Sequence, residues 1–325
     1  MTVCIYGAGA IGGLIGTRLA MAGDCEVSAV ARGATLVALQ QRGWRLRHGD
    51  QLLQIGATVA QDPGDLGTQD IVVVAVKGQA LPEVASLIAP LLHPDTIVIP
   101  AINGVPWWFS QVVDGLGNEP LQSVDPGGRI AATIAIGQVV GCVVHASAST
   151  PEPGLVLHKM GQGLIVGEPA GGQSDRVARV GALFEAAGFD VTRSDNIRQA
   201  LWYKLWGNLT INPLCALTGA SASAVLNDPL VRAFVSAAMR EASAVGARVG
   251  CAIDQRPEDR HAITAKLGDF KPSMLQDVEA GRRIELDAIV TAVHEMALRL
   301  GVATPNIDAI LGLTRLSARL RGLYP

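Results

Sequence analysis

Charged side chains are scarce in this chain of 325 residues. They make up 17% of the sequence, against roughly 25% in ordinary soluble domains, a deficit typical of a well-buried α/β protein or of a membrane protein. No uncharged apolar run reaches the roughly 18 to 20 residues that cross a bilayer. The nearest candidate, residues 3–17, ends at Arg18 and has no basic region before it, so no signal peptide is expected. The sequence therefore predicts a protein without a membrane partner.

Basic clusters and regularly spaced cysteines are also missing. The formal net charge is -3 and there is no basic run, which argues against nucleic acid as a partner. The cysteines are odd in number and show no C-x-x-C spacing, so neither a zinc site nor a disulfide framework is expected. They are Cys4, Cys25, Cys142, Cys215 and Cys251. We expect buried thiols, a reducing cytoplasm and no bound metal.

A glycine-rich motif follows the first apolar stretch. Residues 2–6 predict a short strand, the next residues read G-x-G-x-x-G, and residues 14–22 have a helical pattern. This order is typical of a Rossmann-type dinucleotide site: Gly7 serves the tight turn, Gly9 lets the backbone approach the pyrophosphate, and Gly12 allows close packing. The residues expected to bind the cofactor are Gly7, Ala8, Gly9, Ala10, Ile11 and Gly12. The alternative is a tightly packed turn that binds nothing.

An acidic side chain is missing where an NAD site normally has one. After a predicted strand at residues 26–30, no Asp or Glu occurs between Glu26 and Asp50, although such a residue usually binds the ribose 2′-hydroxyl of NAD(H). Arg32 follows the strand instead, and a guanidinium there would pair with the 2′-phosphate of NADP(H). NADP(H) is therefore the expected cofactor. The alternative is a solvated surface arginine.

Two β-branched stretches, residues 70–76 and 96–101, predict central parallel strands. Lys77 ends the first stretch, and Asn103 follows the second. Ligands of open α/β sheets bind at the carboxyl ends of the strands, so both residues are expected to contact cofactor or substrate. The alternatives are a solvated lysine and a turn-forming Asn-Gly pair.

The remaining patterns divide the chain into two halves. Residues 44–59 predict a hairpin, residues 141–149, 155–160, 163–167 and 190–193 predict strands that extend the sheet, and residues 174–187 predict a helix. Later patterns are helical, at residues 228–249, 257–267, 273–280, 286–300 and 306–320. The sequence therefore predicts an α/β fold with an N-terminal Rossmann-type NADP-binding domain, residues 1–195, and a C-terminal all-helical substrate and catalytic domain, residues 196–325.

A polar stripe crosses the helix predicted from residue 196. Lys204, Asn208 and Asn212 recur at steps of four, so they lie near one face, among tryptophan and leucine side chains. Burying a neutral polar group without a partner costs roughly 2–7 kcal/mol, so polar groups are expected opposite the stripe. A second polar cluster at residues 271–285 can lead back toward it if the chain turns at Gly281. The alternative is a charged, solvated turn.

Together these motifs resemble the ketopantoate reductase (2-dehydropantoate 2-reductase) family over nearly the whole chain. The most specific parts are residues 196–213, NIRQALWYKLWGNLTINP, and residues 273–277, SMLQD. The resemblance implies NADPH as cofactor, a small 2-oxo acid as substrate, and reduction of ketopantoate to pantoate in pantothenate biosynthesis. It also implies a Rossmann domain followed by a helical domain of the 6-phosphogluconate dehydrogenase C-terminal type, with the active site in the cleft.

The resemblance further implies roles for single residues. Lys204 would be the general acid, donating a proton to the carbonyl oxygen as hydride reaches the carbon, and Glu285 would bind the substrate hydroxyl. The residues that would contact substrate or order the site are Asn103, Asn208, Asn212 and Ser273. Lys77 would lie beside the cofactor. The expected protein partner is a second copy of the chain, which would form a homodimer.

Residues 104–109 depart from the family pattern. They contain Trp107 and Trp108 and are bulkier and more aromatic than expected. If these rings line the cleft, the 2-oxo acid accepted could differ from ketopantoate; the alternative is core packing. Two further functions therefore stay open: reduction of another 2-oxo acid by a member of the same family, and non-catalytic sensing of NADP(H).

Overall fold

Two compact units make up the chain. The computed structural model describes residues 1–266 and 268–325. The first unit comprises Met1–Ile102 and Gly128–Ala200, and the second comprises Asn103–Gly127 and Leu201–Pro325. Leu267, the last residue of the helix predicted over 257–267, lies outside the described residues.

The first unit alternates strands and helices. Its strands are β1 Thr2–Tyr6, β2 Glu26–Val30, β3 Trp44–His48, β4 Gln51–Ile55, β5 Thr58–Ala60, β6 Ile71–Val74, β7 Ile97–Pro100, β8 Gly141–Glu152, β9 Leu155–Gly167 and β10 Asp190–Arg193. Its helices are α1 Ala10–Ala22, α2 Gly33–Arg42, α3 Leu81–Leu87, α4 Arg129–Thr133 and α5 Asp175–Ala186. Each strand and helix predicted before residue 196 has a counterpart here, except that the two strands predicted at residues 155–160 and 163–167 form the single strand β9.

A parallel sheet with strand order β5-β2-β1-β6-β7 organises this unit. The apolar residues of β1 and β6 are fully buried, as expected for central strands covered on both faces. In register, Ile5 of β1 lies between Ala29 of β2 and Val73 of β6. Because the strands run in one direction, the residues that follow β1, β2, β6 and β7 emerge at the same edge of the sheet.

The later strands form a second sheet, so the expectation that they extend the first one is wrong. Its order is β10-β9-β3-β4, and β8 pairs with β9. The hairpin predicted over residues 44–59 is confirmed as β3 and β4, which end at Ile55, whereas Thr58 and Val59 belong to β5 of the first sheet. Strand β3 lies parallel to β9. Strand β9 therefore lies between β10 and the hairpin strand β3. The order of the segments along the chain does not reveal this pairing.

Helix α1 packs against both sheets because glycines remove side chains from its surface. A Cβ at Gly12 would lie 3.0 Å from Ile5 of β1, and one at Gly13 would lie 2.6 Å from Val156 of β9. A Cβ at Gly16 would lie 2.6 Å from the Trp44 ring of β3. These approaches fix the start of α1 against the carboxyl end of β1.

The second unit is helical. Its elements are α6 Ile197–Thr218, which begins at the end of the first unit, α7 Ala222–Asn227, α8 Pro229–Arg248, α9 Pro257–Ala265, α10 Ser273–Glu279, a π-helical segment Asp287–Thr291, α11 Ala292–Leu300 and α12 Pro305–Leu320. The predicted helix over 286–300 is therefore helical throughout most of its length but contains a π-helical segment. Within the described residues, no helix is both long enough and apolar enough to cross a bilayer.

The five cysteines, all within the described residues, form no disulfide. Cys4, Cys142, Cys215 and Cys251 are buried, and Cys25 is half-buried. Burial raises the pKa of Cys4 and of Cys215 to about 12. These two thiols therefore stay protonated at neutral pH and serve as apolar packing.

A carboxylate from α8 caps the first turn of α12. The Glu241 carboxylate accepts hydrogen bonds from the backbone N–H groups of Asn306 and Ile307, at 3.0 and 2.9 Å. Loss of a helix cap costs about 0.5–2 kcal/mol. We expect Glu241→Ala to lower the free energy of unfolding by about 1–2 kcal/mol, because two N–H groups lose their acceptor.

Urea unfolding checks this prediction. Glu258→Ala is the matched control, since Glu258 is exposed and pairs with Arg240 at 3.4 Å, a contact worth little. If both substitutions shift the urea midpoint equally, Glu241 does not stabilise α12.

A buried histidine makes the stability of the chain depend on pH. Nε2 of His261 lies 2.8 Å from the Ser236 hydroxyl, and both residues are buried. Burial lowers the pKa of His261; Arg232 and Arg240 lower it further, against the opposing charge of Glu258. Below the ordinary value of 6.5, the unfolded chain takes up a proton that the folded chain does not, so stability falls as pH falls.

The expected result is a larger loss of unfolding free energy in the unsubstituted chain than in His261→Asn between about pH 7.5 and about pH 5.5. Urea unfolding of both proteins at the two pH values measures it. An equal pH dependence in both would show that His261 is not the group responsible.

Candidate functional site

The glycine turn joins β1 to α1 with little room for side chains. Gly7 has a φ of 99°, and a Cβ there would lie 2.6 Å from Val76. A Cβ at Gly12 would lie 2.0 Å from the carbonyl oxygen of Gly7. The fold itself therefore requires glycine at both positions.

Gly9 is different, because among the described residues beyond its own chain neighbours no atom lies within 4 Å of the position that its Cβ would take. It is the N-cap residue of α1, which has no side-chain cap and no acidic residue in its first turn. Packing does not require glycine here, whereas close approach of an anionic ligand to the N-terminal N–H groups does. Pyrophosphate therefore fits this turn.

A pocket of about 220 Å³ adjoins the turn. It is lined by Tyr6, Gly7, Ala8, Gly9, Val30, Ala31, Arg32, Thr35, Val76, Ala80, Glu83 and Val84. Arg32 follows β2 and is the N-cap residue of α2, whose N-terminus also has no side-chain cap. The predicted phosphate-binding arginine thus lines the same pocket as the glycine turn.

Arg32 is paired with an acidic residue that sequence reasoning missed. Its Nη1 donates to Oε1 of Glu83, in the first turn of α3, at 2.6 Å. This hydrogen bond raises the pKa of Arg32. Burial raises the pKa of Tyr6 on the pocket wall, although the Arg32 charge opposes it. No acidic residue occurs at positions 27–49, but Glu83 brings a carboxylate to Arg32 from a distant part of the sequence. The one sequence signal for it was its place in the helix that follows a β-branched strand.

Lys77 lies just beyond β6, where the sequence placed it. It is exposed, and it is the N-cap residue of a short 3-10 turn, Gly78–Ala80. Its neighbours Val76 and Ala80 both line the pocket. Contact between Lys77 and the cofactor stays a prediction.

In the second unit, Lys204 lies opposite a polar partner. Its Nζ donates a hydrogen bond of 2.9 Å to Oδ1 of Asn103. The lysine is half-buried on α6, whose neighbouring residues Leu205 and Trp206 are buried. The bond fixes the direction of the ammonium group. It also shows that two of the site residues predicted from the sequence, Lys204 and Asn103, lie in contact.

The other polar residues of α6 extend away from Lys204 along the helix. Asn208 is half-buried and Asn212 is buried, at 5% exposure. At 1.5 Å per residue, Asn212 lies about 12 Å from Lys204 along the axis. The three side chains therefore form a stripe and do not converge on one atom.

Asn103 is held in place by the residue that follows it. Gly104 has a φ of 82°, and a Cβ there would lie 2.4 Å from the carbonyl oxygen of Ala288. That oxygen accepts a hydrogen bond of 2.7 Å from Val105 N–H. Ala288 belongs to the π-helical segment, a type of element that occurs frequently at functional sites. The contact of Gly104 and Val105 with Ala288 was not predicted from the sequence. The Asn-Gly pair predicted only that the chain turns at this position.

Ser273 and Glu285 bracket the second polar cluster. Ser273 begins α10 and is half-buried; Glu285 directly precedes Leu286 and is 7% exposed. The predicted turn at Gly281 is confirmed, since it has a φ of 64° and the Arg282 N–H donates to Asp277 O at 2.8 Å. Residues 282–285 therefore leave the helix and continue to the π-helical segment.

The backbone around Glu285 is fixed by the last residues of the chain. The Ile284 N–H donates to the Leu323 carbonyl at 3.1 Å. The Tyr324 hydroxyl donates to Asp287 at 2.5 Å, and burial, together with this carboxylate, raises the pKa of Tyr324 to about 12. Glu285 thus lies on a constrained segment.

Trp107 and Trp108 lie in the core of the second unit. Each is 1% exposed, and the adjacent Phe109 stacks on Trp202 of α6 at a centroid distance of 5.9 Å. This burial supports core packing and removes the reason to expect that the two indoles alter the substrate.

Comparison with known proteins agrees with this arrangement. The family model described as "Ketopantoate reductase PanE/ApbA" matches residues 3–171, and "Ketopantoate reductase PanE/ApbA C terminal" matches residues 196–318. The chain is similar to the curated 2-dehydropantoate 2-reductase of Mesorhizobium japonicum, with 41% identity covering 100% of each chain.

Two solved structures extend the comparison. A protein of Ralstonia solanacearum MolK2, provisionally assigned as a ketopantoate reductase, is 50% identical, with a TM-score of 0.95 and 99% of each chain covered. The 2-dehydropantoate 2-reductase of Geobacter metallireducens GS-15 is 27% identical, with a TM-score of 0.84 and coverage of 98% of this chain and 100% of that one. The predicted fold class, a Rossmann-type domain followed by a helical domain, is confirmed.

The family reduces ketopantoate to pantoate and uses NADPH, so its members are oxidoreductases. The glycine turn and Asn103 lie within the residues that the first family model matches, and Lys204 lies within those that the second matches. The chain therefore belongs to the ketopantoate reductase family.

Proposed function

We propose that this chain reduces ketopantoate to pantoate, with NADPH as the electron donor. The observation that carries the proposal is the 2.9 Å hydrogen bond from Lys204 Nζ to Asn103, which fixes a proton donor on α6 in a member of this family. Reduction of a ketone needs hydride at the carbon and a proton at the oxygen, and bound NADPH supplies the hydride.

Lys204 is the proton donor in this proposal. An ammonium group at hydrogen-bond distance from the ketone oxygen stabilises the negative charge that develops there and then transfers a proton to it. One ammonium proton already bonds to Asn103 Oδ1. This bond holds Nζ in a defined direction, as a positioned proton donor requires.

Glu285 is the proposed specificity residue. Ketopantoate carries a hydroxyl group that simpler 2-oxo acids lack, and a carboxylate accepts its hydrogen bond. Because Glu285 is 7% exposed, a substrate without the hydroxyl would leave a buried carboxylate with one partner fewer. Asn208, Asn212 and Ser273 are proposed to order the site or contact the remaining substrate atoms.

The nucleotide is proposed to bind on the first unit. The turn from Gly7 to Gly12 would hold the pyrophosphate, Arg32 the 2′-phosphate, and Lys77 would lie beside the cofactor. The open position at Gly9 and the uncapped N-termini of α1 and α2 support this assignment. In this proposal the first unit binds NADPH and the second binds substrate; the domains expected at residues 1–195 and 196–325 correspond to these units except that Asn103–Gly127 belongs to the second and the first continues to Ala200.

We also propose a cellular compartment and an oligomeric state for the enzyme. The described cysteines form no disulfide, which supports a reducing cytoplasm as its compartment. Several leucines are exposed on the C-terminal helices, including Leu313, Leu316 and Leu320 on α12, and they support a homodimer. Sedimentation equilibrium of the full chain would give the oligomeric state directly.

Steady-state NADPH oxidation tests the function. Purified full-length protein is assayed with ketopantoate and with a panel of 2-oxo acids that lack its hydroxyl group. The proposal expects the highest kcat/KM with ketopantoate. A higher value with another acid would assign a different reductase activity, and tight NADPH binding without turnover of any acid would indicate an NADP(H) sensor.

A further inference from the structure

The proposed 2′-phosphate site contains a negative charge as well as a positive one. Among the described residues that line the pocket beside the glycine turn, the charged ones are Arg32 and Glu83. Their side chains form an ion pair of 2.6 Å. The guanidinium expected to bind a phosphate therefore already has an anionic partner.

The two charges come from different elements. Arg32 follows β2 and begins α2, whereas Glu83 is in the first turn of α3, after β6. Thr35, in the first turn of α2, lines the pocket beside them. A phosphate that binds at Arg32 and the N-terminus of α2 must therefore lie close to the Glu83 carboxylate.

We infer that Glu83 is a specificity-determining residue, which competes with the 2′-phosphate of NADPH for Arg32 and lets the same pocket accept NADH. A 2′-phosphate is an anion that the carboxylate repels, whereas a ribose 2′-hydroxyl is a donor that a carboxylate can bind. Glu83 would thus accept the hydrogen bond of the ribose 2′-hydroxyl, as the acidic residue near the end of the second strand does in NAD sites. This inference rests on the proposed cofactor site.

The exposure of the pair sets the size of the effect. The side chains of Arg32 and Glu83 are 47% and 56% exposed, so solvent screens their attraction and the carboxylate can leave the guanidinium at small cost. Glu83 therefore reduces the preference for NADPH without preventing NADPH from binding.

Isothermal titration of the full chain at low ionic strength tests the inference by binding alone. The ligands are NADPH and NADH, together with 2′,5′-ADP and 5′-ADP, which isolate the 2′-phosphate. For Glu83→Gln we expect affinity for NADPH and 2′,5′-ADP to rise about three- to tenfold relative to that for NADH and 5′-ADP. Glu185→Gln is the matched control, because Glu185 is an exposed acid of the same unit, paired with Arg193 at 2.6 Å; its ratios should not change.

Two results would overturn the inference. If the unsubstituted chain binds NADPH but Glu83→Gln leaves the ratio unchanged or lowers it, Glu83 does not set cofactor choice, while the proposed function stands. If the unsubstituted chain binds neither NADPH nor 2′,5′-ADP, the proposed cofactor site fails and the inference fails with it. Glu83→Ala repeats the measurement without the carboxamide, and its ratio should move in the same direction.

Discussion

Lys204→Ala is expected to lower kcat for ketopantoate reduction by about 10²- to 10⁴-fold, the usual contribution of a positioned general acid. The substitution removes the ammonium group that donates a hydrogen bond to Asn103 Oδ1. Without it, the negative charge that develops on the ketone oxygen loses its proposed cation and proton donor. Binding of NADPH should be unchanged, because the proposed nucleotide site lies on the other unit.

Rapid-quench or steady-state rates with saturating NADPH and ketopantoate measure this effect. Lys271→Ala is the matched control, since Lys271 is an exposed lysine of the same unit, paired with Glu279 at 2.6 Å. Its kcat should equal that of the unsubstituted chain. If Lys204→Ala folds, binds NADPH and retains kcat within a factor of about three, it is not the general acid.

Substitution of the glycine turn should separate folding from cofactor binding. At Gly12 a Cβ would lie 2.0 Å from a backbone oxygen, so Gly12→Ala must displace α1 from β1. We expect it to lower the free energy of unfolding by about 2–4 kcal/mol, at or above the usual cost of overpacking. Cofactor affinity should fall with it, because the turn that holds the pyrophosphate is displaced.

Gly9→Ala is the matched substitution in the same turn. Apart from the adjoining backbone, a Cβ at Gly9 would meet no atom of a described residue within 4 Å, and the φ of -77° is accessible to alanine. Its free energy of unfolding should stay within about 1 kcal/mol of the unsubstituted value. NADPH affinity should nevertheless fall by about tenfold or more, because the methyl group occupies the side from which a pyrophosphate approaches.

Urea unfolding and NADPH titration of both variants test this separation. The account requires Gly12→Ala to lose stability and Gly9→Ala to keep it while losing affinity. If Gly9→Ala binds NADPH as well as the unsubstituted chain does, the pyrophosphate does not lie at this turn.

Local patterns were sufficient to predict most individual elements. A β-branched, apolar stretch predicts a buried strand such as β1 or β6, and the spacing of Lys204, Asn208 and Asn212 indicates one face of a helix. Buried polar groups on such a face need hydrogen-bond partners. A polar partner for Lys204 was therefore predictable, and in the structure that partner is Asn103. These inferences depend on neighbours in sequence, which is why they could be made.

Features that depend on distant contacts could not be read in this way. The second sheet exists because β9 pairs with a hairpin more than a hundred residues earlier, and no local pattern encodes that pairing. Glu83 reaches Arg32 across 51 residues of sequence. The π-helical segment differs from an α-helix in its i→i+5 hydrogen bonds, such as that from the Ala292 N–H to the Asp287 carbonyl, and the apolar spacing along the sequence does not reveal this difference.

The most direct test of the central claim compares ketopantoate with 3,3-dimethyl-2-oxobutanoate, the same acid without its hydroxyl group. A site that binds the hydroxyl through Glu285 should favour ketopantoate by at least about 10² in kcat/KM with NADPH. In Glu285→Gln this ratio should fall, while turnover of the deoxy acid changes little. Equal kcat/KM values for the two acids in the unsubstituted chain would contradict the assignment of ketopantoate as substrate.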